Sequence, residues 1–393
     1  MTGSTYAAPS RVSSLQRLAL IVGVVGLGLC AVGFSAGREQ FFRAWLIAFL
    51  FWWGVSLGSL AWMMIHHLSG GQWGVVTRRV FEASSRVLPF MAIAFLPVAF
   101  GVKELYPWAR PELVANDEIL QHRAPYLNVS FFYIRAVIYF VLWTGLAYLI
   151  SGWSRQQDTA PGDEGLAIRM QRLSGGGLLL YGITLFFASV DWLMSLDPHW
   201  YSTIYGILML GGQGLASMAF TLTVMVMLAR TAPLAGVFRA NHLHDLGKLM
   251  LTFVMLWAYF QFSQFLIIWS GNLPEEIGFY LTRIEGAWVY LSALLILGHF
   301  ALPFVLLLNR DLKRSHMVAL VAIFVIGMRF VDLFWLMGPR DGHTAPALSW
   351  INFVTPVALG GIWIAVFLWQ LGSRPLLPLG EPELAEVLEG GAH

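Results

Sequence analysis

Thiols are nearly absent from this chain: Cys30 is the only cysteine in 393 residues. One thiol excludes an internal disulfide framework, a four-cysteine zinc site and an iron–sulfur cluster held by this chain alone. Charge is scarce as well. Asp, Glu, Lys and Arg make up 12% of the residues against 58% apolar ones, about half the charged share of an ordinary soluble domain. A water-facing surface cannot be built from that alphabet. The net charge is +2 and the basic residues are spread along the chain, which argues against nucleic acid or an acidic polymer as a partner.

Long apolar runs take the place of charge. Mean hydropathy is +0.67, and ten segments reach the roughly twenty residues a helix needs to cross hydrocarbon. They run about 15–34, 41–68, 79–101, 127–152, 170–195, 202–229, 244–270, 282–309, 314–338 and 348–372. Seventeen Trp and twelve Tyr suit the aromatic belts at the two membrane–water interfaces. The sequence therefore predicts an all-α integral membrane protein, with residues 1–393 forming a single polytopic domain. No span is clearly interrupted at its centre. The first run follows Arg11 and Arg17 and is longer than a signal-peptide core. Leu29 stands where a small residue should precede a lipidated Cys30. Both features predict a retained first helix.

Loop cations set the orientation. Fourteen Lys and Arg residues fall on the side of the N-terminus, Arg78, Arg79 and Arg374 among them, and seven on the other, including Arg283 and Arg340. That two-to-one bias places both termini in the cytoplasm.

Three arginines, Arg86, Arg135 and Arg329, fall inside spans, where an unpaired charge costs at least a few kcal/mol. Glu82 and Arg86 are four apart in the third span, an intrahelical pair by spacing. Arg329 and Asp332 are three apart in the ninth. Asp191 has no basic residue within one turn, and Arg135 of the neighbouring span is its natural partner. His299 lies midway along the eighth span, whereas His66, His67, His242 and His244 read as interfacial. A bis-histidine haem needs two imidazoles at one depth, so His299 reads as a proton-relay or hydrogen-bonded core histidine.

An internal echo suggests duplication. The fifth span ends Val190-Asp191-Trp192-Leu193-Met194 before Asp197-Pro198, and the ninth ends Val331-Asp332-Leu333-Phe334-Trp335-Leu336-Met337 before Gly338-Pro339. Two parallel four-helix repeats, helices 2–5 (41–195) and 6–9 (202–338), would leave this trace. Helices 1 (15–34) and 10 (348–372) would then be flanks.

The stretch from Ser189 to Gly206, SVDWLMSLDPHWYSTIYG, resembles a signature of the large membrane subunits of bacterial alternative complex III. So do Phe51–Leu60, FWWGVSLGSL, and His66–Gly74, HHLSGGQWG, and the likeness extends through Leu88-Pro89 and Leu105–Trp108. These subunits belong to the NrfD-like, or polysulphide-reductase membrane-subunit, family, and in length the chain resembles the smaller of the two such subunits in that complex. The resemblance implies two four-helix bundles plus two flanking helices within a quinol:electron-acceptor oxidoreductase. Its partners would be a homologous larger membrane subunit, a periplasmic iron–sulfur subunit, multihaem cytochrome c subunits, quinol and membrane lipids. This chain would hold neither metal nor covalent cofactor, with menaquinol, another quinol or lipid as the bound small molecule.

Quinol oxidation releases two electrons and two protons. It needs an apolar slot, a few polar groups and a route for protons. The first bundle offers Phe131, Phe132, Tyr133 and Trp143 beside Arg135 and Asp191, so Arg135, Asp191, Tyr133 and Trp143 are the quinol-binding candidates. One proton route would run from Glu82, Arg86 and His66 to Arg135 and Asp191. Another would join Asp245, His244 and His299 to Arg329 and Asp332. A proton-coupled secondary transporter and a purely structural anchor are the competing readings.

Overall fold

The computed structural model describes residues 6–161, 163–339, 346 and 348–389; Arg340 of the charge census lies outside them. Ten helices are long and apolar enough to cross a membrane, and no strand occurs among the described residues. They are α1 (Ser10–Ala36), α2 (Arg38–Ser69), α3 (Gln72–Phe100), α4 (Val129–Thr159), α5 (Glu164–Leu196), α6 (Tyr205–Leu228), α7 (Ala240–Gly271), α8 (Trp288–Leu308), α9 (Val318–Met337) and α10 (Ile351–Gly372). The chain is a multi-pass membrane protein. Several helices outrun their apolar runs, because polar residues such as Arg78, Arg79 and Asp158 continue the helix beyond the hydrocarbon-length core.

The first helix of each half occupies the middle. α2 is the most buried crossing, 94% of its apolar window against 22% for α1. It touches α3, α4, α5, α6, α9 and α10, while α6 touches α5, α7 and α9 as well. α3 to α5 gather around α2, α7 to α9 pack on α6 and one another, and α1 lies along α10.

Small residues make the central contact possible. Lipid tails are as apolar as leucine, so helices in a membrane associate through close packing rather than hydrophobic gain. Gly54 and Gly58, one turn apart on α2, face Gln213 and Ser217 of α6. A Cβ on Gly58 would stand 2.6 Å from the Gln213 carbonyl oxygen. Trp62 Nε1 donates to the Gly214 carbonyl at 2.9 Å across the same seam. α1 and α10 repeat the device, with Gly23 against Ile362 and Gly26 against Ala358.

Contrary to the sequence expectation, two spans are interrupted. α3 leaves α-helical geometry at Arg86-Val87 and again at Phe95, just before Pro89 and Pro97, neither of which has an N–H to donate. α8 runs as a π-helix over Leu295–Ala301. Pro303 cannot donate to the His299 carbonyl, and i→i+5 bonding takes up the disruption.

The two ends of the molecule differ. Both described termini lie together, Leu376 N donating to the Tyr6 carbonyl at 2.8 Å, and that end is called the termini end below. At the far end, residues 101–126 fold into short helical turns over the first bundle. Asp117 caps the helix Glu118–Arg123, accepting from the Ile119 and Leu120 amides, and Tyr106 Oη donates to the Trp192 carbonyl at 2.9 Å.

Gly58→Ala should destabilise the protein by about 1–3 kcal/mol, the usual cost of overpacking, because the added methyl meets backbone. Gly28→Ala, which meets nothing within 4 Å, should not. Thermal unfolding of the two variants in one detergent tests this.

Candidate functional site

A buried ion pair stands at the far end of the first bundle. Asp191 on α5 is fully buried and is held bidentately by Arg135 of α4, Nε to Oδ2 and Nη2 to Oδ1, both at 2.8 Å. Tyr139, one turn along α4 from Arg135, donates its hydroxyl to Asp191 Oδ2 at 2.9 Å. Arg135 also donates to the Tyr126 carbonyl at 3.0 Å. Its guanidinium carbon lies 3.9 Å from the centre of the Tyr126 ring and 4.3 Å from that of Phe131. Planar bidentate pairing plus aromatic faces is what lets arginine replace lost hydration. Burial, then the Asp191 carboxylate, push the Tyr126 phenol above its ordinary range, so it stays a neutral hydroxyl.

A cavity of about 310 Å³ lies nearby, reached from the pair through Tyr126 and Ser195 rather than lined by Arg135 or Asp191 themselves. Its walls include Tyr126, Val190, Met194, Ser195 and Trp200, with His122, Arg123 and Asp197 near its polar parts. Ser195 Oγ donates to the Asp191 carbonyl at 2.6 Å, so the cavity wall and the carboxylate share one stretch of backbone.

Of the predicted quinol residues, Arg135 and Asp191 come together here; Tyr133 and Trp143 do not join them. Tyr133 is 37% exposed and donates to the Ala99 carbonyl at 2.8 Å. Trp143 sits inside a column of rings with Trp53, Trp192, Phe49, Phe95 and Phe140, whose neighbouring centroids lie 4.9–6.5 Å apart. Its Nε1 donates to Thr184 Oγ1 at 2.8 Å. The first bundle is filled with aromatic side chains where the sequence suggested a slot.

That column also divides the first predicted proton route. Arg135 and Ser151 are sixteen residues apart on α4, about 24 Å of helix, and Tyr139, Phe140 and Trp143 bring the ring column into that interval. At the termini end Glu82, 1% exposed, takes Arg79 Nη1 at 2.7 Å and Arg374 Nη1 at 3.1 Å. Arg79 also pairs with Asp158 of α4. The predicted Glu82–Arg86 pair does not form. Arg86 falls at the break in α3 and lies over the Tyr148 ring, 5.1 Å from its centre. His66 Nε2 accepts from Arg78 at 3.3 Å, and Arg78 pairs with Glu381 at 2.5 Å and donates to Gln157 at 3.1 Å. Arg78 and Arg79, counted as loop cations in the sequence, are therefore buried network members.

In the second bundle Asp332, fully buried, pairs with Arg329 on its own helix and accepts from Trp257 Nε1 at 3.1 Å and Gln261 Nε2 at 3.3 Å. Arg329 has room because Gly212 of α6 lacks a side chain; a Cβ there would collide with the guanidinium. His299, fully buried in the π-helical stretch, packs edge-on against Trp257 with centroids 4.3 Å apart, and neither ring nitrogen has a hydrogen-bond partner among the described residues. Asp245 does not reach this group. It pairs with Lys248 at 3.2 Å in an exposed contact, and twelve residues of α7, about 18 Å, separate it from Trp257. His244 lies beside it.

Sequence reasoning missed several contributors. Tyr139, Trp257 and Gln261 each bring a hydroxyl, ring or amide donor to a buried acid, and the one-turn spacing from Arg135 could have pointed to Tyr139. Asp158, Gln157 and Glu381 read as tail or loop polarity, although they complete the network of Arg78 and Arg79. Arg283, expected in a loop, is 5% exposed. It donates to the Phe279, Trp335 and Leu336 carbonyls at 2.8–3.0 Å. Burial lowers it to about 10, which leaves it charged at neutral pH against the negative end of the α9 dipole.

Asp191→Asn or Arg135→Gln, each leaving one buried charge uncompensated, should destabilise by about 3 kcal/mol or more. The double variant should lose less than the sum, and a double-mutant cycle in detergent measures the coupling. A separate expectation concerns pH. The Leu120 amide and His199 hold the Asp117 carboxyl below its ordinary value of 3.8, so its contribution is present above that value and lost as pH falls below it. Hydrogen exchange at Ile119 and Leu120 should accelerate there.

Comparison of the chain with protein-family models and with curated proteins yields no match.

Proposed function

We propose that this chain is a non-haem membrane subunit of a quinol-oxidising electron-transfer complex of the NrfD-like kind, handling the protons that quinol releases. The observation that carries the reading is the buried Asp191–Arg135–Tyr139 group set against the 310 Å³ cavity at the far end. A cavity of this size suits an aromatic headgroup, and its largely apolar walls with a few convergent polar groups suit a quinol ring. Oxidation of that ring yields quinone, two electrons and two protons. The electrons pass to iron–sulfur and haem centres on partner subunits. The resident residues handle the protons.

Arg135 grips both Asp191 oxygens in the resting arrangement. A quinol hydroxyl entering beside Tyr126 brings a new donor to the same region, and loosening of one Arg135 bond would free an oxygen to accept a proton. Tyr139 then holds the acid in place. Release is to the far side, because the aromatic column offers no polar route to the termini end. Positive loop charge puts that end in the cytoplasm, which makes the far side the outside of a bacterial inner membrane.

In the assembled complex, Asp191→Asn should lower quinol-driven turnover by about a hundredfold, the low end of general acid–base effects. Tyr133→Phe should leave it within about twofold, less than any such effect. Unchanged turnover in Asp191→Asn would sink this role and leave a structural anchor.

A further inference from the structure

The cations at the termini end of the first bundle outnumber the carboxylates that could balance them. Arg79 and Arg374 converge there on Glu82 and Asp158, and Arg86 and Arg155 lie close enough for their charges to act on Arg374. Arg79 takes both acids and Arg374 shares Glu82. Arg86 pairs with no carboxylate among the described residues, and its contact is the Tyr148 ring. Burial, and after it the charges of Arg86, Arg79 and Arg155, pull the Arg374 guanidinium below its ordinary range despite Glu82. Four guanidinium groups therefore crowd two acids.

Depth makes the surplus costly. Glu82 is level with Arg374, two residues past the last turn of α10. Arg86 lies four residues further along α3, about 6 Å deeper. Tyr148 is 40% exposed and its neighbour Leu149 51%, so this face of α4 looks into lipid. A guanidinium at that depth, on a lipid-facing surface, needs an anion or a path to the interface. Arginine cannot release its proton in a protein, so Arg86 is no proton carrier, contrary to its place in the sequence-derived route.

The one further carboxylate in this network, Glu381, is taken by Arg78, so among the described ion pairs none answers Arg86 or Arg155. The cavity enclosed by Arg79, Glu82, Arg86, Gln370 and Arg374 measures about 10 Å³, the size of a single water. A phosphate cannot enter it. It can sit at the mouth, where Arg86 is half-buried beside the exposed Tyr148 and Arg155 is exposed. Basic recesses between helices near a membrane surface suit anionic headgroups.

We propose that Arg86 and Arg155, with the outward side of Arg374, bind the headgroup phosphate of an anionic phospholipid between α3, α4 and α10. The site is independent of the quinol reading, since it lies at the opposite end of the bundle. Its occupant closes the charge balance that Glu82 and Asp158 leave open and fixes the break in α3 against α4.

Native mass spectrometry of the full chain released from micelles tests this with three probes: phosphatidylglycerol, phosphatidylcholine and inorganic phosphate. The wild-type chain should retain phosphatidylglycerol over phosphatidylcholine. Arg86→Gln and Arg155→Gln should each weaken that binding about fivefold, the factor for about 1 kcal/mol per basic residue. Arg310→Gln, at an exposed site on the second bundle, should not change it. Equal retention of both lipids, or unchanged binding in Arg155→Gln, overturns the proposal. Displacement of the lipid by equimolar inorganic phosphate would also overturn it in favour of a free-anion site. If Arg86→Gln fails to fold, Arg155→Gln still decides, because its exposed side chain makes no contact the fold needs.

Discussion

A charge in hydrocarbon must find an opposite charge, a dipole or water, and the interior of this protein is arranged around that requirement. Asp191 is answered by Arg135 from the next helix, and Asp332 by Arg329 from its own. Arg283 is answered by three carbonyls, two of them at the end of α9, together with the Phe279 ring, 3.5 Å from its guanidinium carbon. The Arg135–Asp191 and Arg283 contacts tie two segments together, and Asp332 is tied to α7 by Trp257 and Gln261, at points where packing alone would leave them free to slide. Helix association in lipid has little hydrophobic driving force, so these polar ties and the glycine seams of α2–α6 and α1–α10 share the task of fixing the register.

The two halves set the same kind of buried acid in different surroundings. Both place an aspartate in the last turns of their fourth helix, and both bury it completely. The partners differ. In the first half the base and the hydroxyl come from α4; in the second the base is intrahelical and the donors, Trp257 and Gln261, come from α7. The acid stands near the end of the fourth helix in both halves while its surroundings differ. In the first, the backbone that carries the acid also walls a cavity of about 310 Å³; in the second, indole and amide donors close over the acid instead.

Much of this was legible in the sequence, and the reasons for the rest are physical. Ten spans and the Arg135–Asp191 and Arg329–Asp332 pairs follow from length, periodicity and the rule that membrane charges are compensated. The Glu82–Arg86 pair failed because spacing assumes a continuous helix, and α3 breaks at Arg86 two residues before Leu88-Pro89. Tyr133 and Trp143 were grouped by closeness in sequence; the helix turns one toward lipid and the other into the ring column. Glu381 could not be assigned at all, since it meets Arg78 across 303 residues of chain, and no local pattern encodes that meeting.

The ring column has a consequence beyond packing. Trp53, Trp143 and Trp192 fill the centre of the first bundle, and a wall of rings admits no chain of water. The rings thus stand between Asp191 and the network around Glu82 as an apolar layer. Insulation of this kind is what a membrane subunit needs if chemistry on one face is not to dissipate a gradient across the bilayer. It follows from aromatic close packing alone, whichever ligand fills the cavity above it. The two charged ends of the first bundle are therefore separate, one beside a cavity of about 310 Å³ at the far end and one at the termini end.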